Sequence, residues 1–520
     1  MAGPPTYYLT TPIYYVNDVP HIGHAYTTLA CDVLARFMRL DGRRVRFLTG
    51  TDEHGQKVEK SASAAGMEPQ LFVDRGSANF RQLTAAMNFS NDDFIRTTEP
   101  RHIAASQALW RKLRDNGHIY LGGYKGWYAV RDEAFYAEDE LKEGTGGRKF
   151  APSGAEVEWV EEPSYFFRLS AWQDKLLAFY GANPDFIAPT SRRNEVMSFV
   201  KSGLQDLSIS RTTFKWGIPV PDAPGHVMYV WLDALTNYIT AAGYPDVDGS
   251  EFSTFWPADL HMIGKDILRF HAVYWPAFLM AADLAPPRRV FAHGWWTNEG
   301  QKISKSVGNV IDPFTLVTKY GLDPVRYFLL REMPFGGDGD FSHRAIVNRI
   351  NGDLANDFGN LAQRVLSLIL RNCAGTVPAP GDLQPFDRNL LGQAAALLAR
   401  LRPHLADQSF HRALDALWEV VGEANRYVDG QAPWTLAKTD SARMKTVLWV
   451  LAETIRHIAI LAQPFMPGTM DKMLNQLGVP AGERSFGSLD AKFALKPGTV
   501  LPKPEGAFPR YVEAVVVEGR

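Results

Sequence analysis

The sequence predicts an α/β protein: a parallel sheet built from strand–helix units, broken by an insertion of short strands and followed by an α-helical bundle. Three observations carry this. Tyr7-Tyr8-Leu9-Thr10 reads as an apolar strand, and Ala25, Leu29, Val33, Leu34 and Phe37 then fall at helix spacing. A second strand, Val45–Leu48, follows the Asp41–Arg44 turn, with helical spacing again from Lys57. This is the alternation expected of a parallel sheet, whose ligands sit at the carboxyl ends of its strands. Beyond Asp312 the apolar positions fall into helical stripes punctuated by Pro and Gly.

Bulk properties bound the answer. A chain of 520 residues exceeds what one core supports, so several domains are expected. The composition, 46% apolar and 22% charged, is that of a globular protein. A net charge of -2 gives no global nucleic-acid signature, so any RNA contact must rest on local features. Cys31 and Cys373 are the only cysteines, too few for a disulfide framework or a four-thiolate zinc site. The longest apolar run, Val447–Met466, is cut by Glu453, Arg456 and His457 and reads as a core helix, not a membrane span. The first strand begins at Tyr7, leaving no room for a targeting segment, and a soluble cytoplasmic protein is expected.

Between His102 and Thr213 the pattern changes. Trp127–Val130, Ala134–Tyr136, Glu156–Trp159 and Ser164–Leu169 read as short strands, with a turn at Gly144–Gly147. The sheet is expected to resume at Val227–Leu235, then at Leu260–Asp266, followed by a helix through Ile267, Phe270, His271 and Trp275. Helices are predicted over Asp353–Arg371, Leu390–Leu405, Ala413–Val428 and Ala442–Gln463. Val377–Pro385 reads as a surface loop, Phe335–His343 as a linker, and the chain after Gly478 as a patternless tail draped over the body.

Chemistry concentrates in two places. His21-Ile22-Gly23-His24 stands where a helix follows a strand, and its imidazoles, three residues apart, share one face. A helix start offers backbone N–H groups and a positive dipole end to phosphate, and Gly23 has no side chain to hold off a planar base. Far downstream, Lys302-Ile303-Ser304-Lys305-Ser306 lies among small residues and places two ammonium groups in a loop suited to charge growing on phosphates. Alone, either motif is a solvated polar cluster. Together and in this order they resemble the paired signatures of class I aminoacyl-tRNA synthetases. Asp52, at the end of the second strand, is either a helix N-cap or the counter-ion of a substrate ammonium group.

Within that class the chain resembles methionyl-tRNA synthetases through Thr10–His24, Thr49–Gly55, Tyr229–Tyr238, His261–Trp275, His293–Ser306 and Gln431–Trp434. The resemblance implies a Rossmann-like catalytic domain with a connective insertion and an α-helical bundle that binds the anticodon. It implies a methionine pocket of Ile13, Tyr15, Trp231, Ala234, Leu235, Tyr238, Ile267 and His271, with Asp52 on the amino group. It implies ATP contacts from Tyr15, His21, Gly23, His24, Gly264, Asp266, His293, Lys302, Ser304 and Lys305, with His21, His24, Lys302 and Lys305 catalytic. Asn360, Arg364 and Trp434 match the residues that read the CAU anticodon; otherwise they read as a capping Asn, an exposed Arg and a core Trp. An aromatic, uncharged pocket suits a polarisable thioether.

Trp127–Glu140 with Val157–Leu169 resembles the zinc knuckle of this family. Here Ala129, Asp132, Ala151 and Gly154 stand at the positions of its two C-x-x-C pairs, so no structural zinc and no other protein-held metal is expected. Packing by Trp127, Tyr128, Phe135 and Tyr136 is expected to hold the knuckle instead.

The implied boundaries are a first catalytic half over 1–101, the insertion over 102–213, a second catalytic half over 214–285, and a stem-contact region with the lysine loop over 286–345. The anticodon-binding bundle then spans 346–480 and the tail 481–520. The implied reaction joins methionine and ATP, with Mg2+, to methionyl-adenylate and pyrophosphate, then passes the acyl group to the 3′ end of tRNA(Met). A monomer is expected. The leucine-, isoleucine- and valine-specific synthetases share both signatures but carry a larger editing insertion, and a cysteine-specific enzyme needs pocket thiolates. A catalytically silent tRNA-binding scaffold has no reason to keep both histidines and both lysines.

Overall fold

The structure, a computed structural model, describes residues 3–17, 19–132, 134–303 and 309–513. The chain packs as two units. One comprises residues 6–20 and 45–293, the other residues 1–5, 21–44 and 294–520.

The unit of residues 6–20 and 45–293 is built on a seven-stranded sheet. Its order is Ile187–Ala188, Val290–His293, Leu260–Gly264, Thr6–Thr10, Arg44–Asp52 and Tyr14–Tyr15, with Asp93–Arg96 also paired to Arg44–Asp52. The neighbours Leu260–Gly264, Val290–His293 and Ile187–Ala188 run parallel, as does Thr6–Thr10 beside Leu260–Gly264. Arg44–Asp52 leaves solvent after Arg46 and is buried from Phe47 onward, the pattern of a strand covered on both faces. The second and third strands lie on one side of Thr6–Thr10, and Leu260–Gly264, Val290–His293 and Ile187–Ala188 lie on the other. That change of side makes the crevice beside Thr6–Thr10 a topological switch point.

The insertion is a six-stranded antiparallel sheet whose spine is a ladder from Ile119↔Phe167 to Tyr128↔Glu158. Ala134–Tyr136 is a strand as expected; Trp127–Val130 falls at the end of one long strand, Ile119–Ala129, and Glu156–Trp159 and Ser164–Leu169 are the two ends of another, Glu156–Phe167. Val227–Leu235 departs further from expectation. Only Val227–Met228 is extended, paired antiparallel to Ser210–Arg211, and a helix runs over Val230–Thr240. A wholly buried helix and a buried strand give the same unbroken apolar run, so periodicity cannot separate them.

In the other unit the helix Ile22–Leu40 packs with a three-stranded sheet and the helical bundle. The expected Phe335–His343 linker contains the strand Gly339–Phe341, parallel to Trp296–Asn298. The bundle helices are Asn360–Asn372, preceded by a π-helical segment Ile350–Gly359, then Pro385–Ala406, Phe410–Gln431 and Ser441–Ala462. Their starts follow local chemistry: Pro385 opens one helix, and Asp440 accepts from the Arg443 N–H at 2.9 Å to cap another. Val377, expected in a surface loop, is buried and exchanges backbone hydrogen bonds with Gly498 and Thr499. The tail is pinned to the last long helix: Leu495 accepts from the Trp449 indole and donates to Glu453, and Ser488 accepts from Arg456. Side-chain bonds to an irregular backbone leave no periodic trace in sequence.

Candidate active site

The carboxyl ends of the parallel strands bring two pairs of expected site residues together. Tyr15 and Asp52 are register partners on adjacent strands, and so are Gly264 and His293. Gly264 is there for close approach: a Cβ on it would sit 2.5 Å from Asp266 Oδ1. Asp52 is buried. The helix that follows it, Gln56–Ala64, has Gly55 at its N-cap and no side-chain cap bond, so Asp52 is not its cap.

The helix Val230–Thr240 carries Trp231, Ala234, Leu235 and Tyr238. Trp231 stacks on Phe270 at 3.4 Å with 7° between the rings. Tyr238 lies in the main core, and Ile13 and Ile267 pack half-buried against that core. The Tyr238 hydroxyl bonds His271 Nε2 at 2.7 Å, and His271 Nδ1 bonds the Ile267 carbonyl oxygen at 3.0 Å. A carbonyl only accepts, so His271 carries its proton on Nδ1 and accepts a hydrogen bond from the Tyr238 hydroxyl at Nε2. Burial pushes His271 down to about 4, and the ring is neutral at physiological pH. The neighbouring His261, stacked on Tyr238, is held well below its ordinary value by the same cause. Along this lining the Tyr238–His271–Ile267 bonds are satisfied internally and uncharged, while the buried Trp231 Nε1 finds no hydrogen-bond partner among the described residues.

Sequence reasoning missed a buried network beside this lining. Asp233, in the first turn of the helix, is wholly buried between His54 Nδ1 and His102 Nε2, each at 2.7 Å. Burial raises its carboxyl, but attraction to His54 and the bonds from both imidazoles outweigh this and hold it below the usual range. The signal was a carboxylate inside an otherwise apolar run, which packing does not explain.

In the other unit His21 caps the helix Ile22–Leu40. Its Nδ1 accepts from the Gly23 N–H at 3.1 Å, while His24 Nδ1 accepts from the His21 N–H at 3.1 Å. The rings lie 3.9 Å apart. Each ring spends its Nδ1 lone pair on backbone, so the neutral form holds its proton on Nε2, the arrangement that donates to a phosphate oxygen. Gly23 has a second reason to be glycine, because a Cβ would meet His21 Cε1 at 2.9 Å. The Ile22 N–H donates to the Ile311 carbonyl at 3.0 Å, and the Asn298 side chain donates to the Asn309 carbonyl at 2.9 Å. The lysine loop is therefore rooted beside the histidine motif. Lys302 pairs through its backbone with Thr297. Ser304 and Lys305 lie outside the described residues.

In the bundle Arg364 lies over the Trp434 ring at 5.2 Å and bonds Asp429 at 2.7 Å. Trp434 is 43% exposed, which removes the core-Trp reading, and Asn360 sits one helical turn before Arg364 with its side chain in solvent. Ala432, at φ 43°, makes the sharp joint between Phe410–Gln431 and the helix Pro433–Thr439, on which Pro433 is buried and Trp434 exposed.

In the insertion, Ala129 and Ala151 are fully buried in a small apolar cluster with Ala155 and Val157, against which Trp127, Tyr136 and Leu141 pack. Asp132 is taken by Arg131, Ser153 and the Tyr136 hydroxyl. Packing thus stands where four thiolates would converge. Among the described residues no three or more His, Cys, Asp or Glu side chains are grouped to hold a metal ion.

An open parallel sheet with its switch point, a histidine motif capping a helix and a lysine loop rooted beside it define a class I aminoacyl-tRNA synthetase. A family model described as tRNA synthetases class I (M) matches residues 7–366, and one described as the anticodon binding domain of methionyl tRNA ligase matches residues 377–516. The methionine–tRNA ligase of Mesorhizobium japonicum is 61% identical over 507 residues, 98% of each chain. That of Brucella suis is 60% identical over 508 residues, again 98% of each. The solved Mycobacterium tuberculosis methionyl-tRNA synthetase in complex with methionyl-adenylate superposes with a TM-score of 0.95 at 55% identity, covering 97% of this chain and 100% of that one. Its apo form gives 0.89 at 52% identity, covering 98% and 99%. The chain belongs to the methionyl-tRNA synthetase family.

Proposed function

We propose that Asp52 holds the methionine ammonium group while Ile13, Tyr15, Trp231, Ala234, Leu235, Tyr238, Ile267 and His271 enclose the thioether side chain. The activity is that of a methionine–tRNA ligase, which forms methionyl-adenylate from methionine and ATP and then charges tRNA. The observation that carries the pocket assignment is the neutral Tyr238–His271–Ile267 relay. A neutral, internally bonded Tyr238–His271 wall accepts an apolar sulfur-containing chain and penalises a charged one.

The methionine carboxylate is already a nucleophile and attacks the α-phosphate of ATP, displacing pyrophosphate. No general base is needed for this step. Tyr15, Gly264, Asp266 and His293 bind the nucleotide with His21, Gly23 and His24, whose Nε2 protons meet phosphate oxygens. Lys302, Ser304 and Lys305 stabilise the charge that develops as the pyrophosphate leaves, so positioning and electrostatics supply most of the rate. A ribose hydroxyl at the 3′ end of tRNA(Met) then attacks the acyl carbonyl and AMP departs. Magnesium accompanies ATP as counter-ion to its phosphates; the described side chains offer no cage for it. Asn360, Arg364 and Trp434 read the CAU anticodon by stacking and hydrogen bonding to unstacked bases. The chain acts as a monomer in the cytoplasm, in translation initiation and elongation.

The test is amino-acid-dependent ATP–pyrophosphate exchange without tRNA, comparing methionine with leucine, isoleucine, valine and cysteine. Exchange that requires methionine and collapses in Lys305→Ala is expected. Exchange with another amino acid overturns the pocket assignment, and tRNA binding with no exchange at all favours a silent scaffold.

A further inference from the structure

Asp233 sits where two parts of the amino-acid site meet. Its helix carries Trp231, Ala234, Leu235 and Tyr238, and its Oδ2 bonds His54 Nδ1 at 2.7 Å. His54 lies two residues beyond Asp52 in the loop that ends the strand Arg44–Asp52, and its carbonyl accepts from the Tyr15 hydroxyl at 3.0 Å. The Trp216 indole holds the same loop through the Glu53 carbonyl at 2.6 Å and packs against the His54 ring. On its other side Asp233 Oδ1 bonds His102 Nε2 at 2.7 Å, and His102 Nδ1 lies 3.3 Å from Thr240 Oγ1, the last residue of the same helix. A carboxylate with no solvent exposure is costly to bury unless its partners are fixed, so this unit tolerates little drift. Its place at a helix N-terminus adds favourable dipole interaction.

We infer that Asp233, through His54, is a positioning residue that sets the distance between the Asp52 carboxylate and the side-chain pocket on the Val230–Thr240 helix. This rests on the pocket assignment proposed above. An amino acid is then measured between two walls held at fixed separation by the His54–Asp233 bond. Neither residue touches ATP in that scheme, so the bond governs methionine and not nucleotide.

The replacement of His54 separates the bond from the ring. In His54→Asn the side-chain amide nitrogen stands where Nδ1 stood and keeps the donor to Asp233, whereas His54→Ala removes it. Methionine-dependent exchange is measured at varied methionine and varied ATP, with thermal melting of each variant. His54→Ala is expected to raise KM for methionine about tenfold, the size of a lost charge-assisted hydrogen bond, with KM for ATP unmoved. His54→Asn is expected to return KM for methionine to within about twofold of wild type. An unchanged KM for methionine in His54→Ala, a parallel rise in KM for ATP, or a His54→Asn as impaired as His54→Ala each overturns the inference. Should His54→Ala not fold, Asp233→Asn carries the same expectation for the two KM values, and an unmoved KM for methionine there overturns it equally. Wild-type protein that shows no methionine-dependent exchange overturns the pocket assignment and this inference with it. Wild-type exchange with unresponsive variants overturns only the inference.

Discussion

The backbone N–H of Ile22 donates to the carbonyl oxygen of Ile311 at 3.0 Å, joining the histidine motif to the segment that leaves the lysine loop. The bond links residues nearly three hundred apart in sequence, one in the histidine motif and one just beyond the lysine loop. Because the bond uses backbone, it survives side-chain change and fails when the N–H is removed. Ile22 is the first residue of its helix and His21 is extended at φ −132°, ψ 176°, so proline fits the geometry there. Ile22→Pro is expected to keep the fold and slow methionine-dependent exchange roughly two- to tenfold, the worth of about 0.5–1.5 kcal/mol. Ile22→Val keeps the N–H and serves as the control for side-chain volume.

Gly23→Ala tests the cap itself. The added Cβ would meet His21 Cε1 at 2.9 Å and Nδ1 at 3.1 Å, so the ring must leave its bond to the Gly23 N–H. Alanine is a better helix former than glycine, and thermal stability should not fall. Pyrophosphate exchange is expected to drop by about 10²-fold, the usual cost of displacing a positioned group by an ångström. Undiminished exchange would remove His21 from the phosphate-binding role.

His271 predicts a pH dependence. Its folded value of about 4 lies below the ordinary histidine value of 6.5, so the unfolded chain binds the extra proton first. Its contribution is fully present above about pH 6.5 and is lost as pH falls towards 4, up to about 3 kcal/mol in all. His271→Phe should be less stable at neutral pH, having lost the Tyr238 bond. Its melting temperature should fall less steeply than wild type's between pH 6.5 and 4.

Arg326 is buried beside Asp32 at 2.7 Å and also donates to the carbonyls of Pro464 and Phe465. It binds the helix Ile22–Leu40 to the end of Ser441–Ala462. Arg326→Leu leaves Asp32 to Arg36, whose Nε bonds it at 2.8 Å, and should cost about 1–3 kcal/mol, read as a lower melting temperature. An unchanged melting temperature would mean that Asp32 is held well enough without Arg326.

Trp434 and Arg364 predict a separation of activities. Replacing either by alanine should leave pyrophosphate exchange intact. Aminoacylation kcat/KM for tRNA should fall roughly tenfold to a hundredfold, as about 1–3 kcal/mol of stacking on a base is lost. Equal loss in both assays would assign them a role in the stability of the bundle.

What could be read from the sequence had a local physical cause. Helical spacing after His24, the strand ending at Asp52 and the amphipathic bundle helices each follow from which face must be buried. The paired motifs were legible as well, because their chemistry lies in residue type and order. Reading Val227–Leu235 as strand failed beyond Met228 because burial on nearly all sides erases the period that separates helix from strand. The Gly339–Phe341 strand and the stapled tail escaped because their partners lie far away in sequence. By itself the sequence determined the class of fold, the paired histidine and lysine motifs and the absence of knuckle thiolates. Tertiary structure alone decided which tautomer His271 holds, that His21 caps its own helix, and that Asp233 is clasped between His54 and His102. Those facts depend on distances between residues up to 179 apart in sequence, and long-range distance is a property of the packed chain.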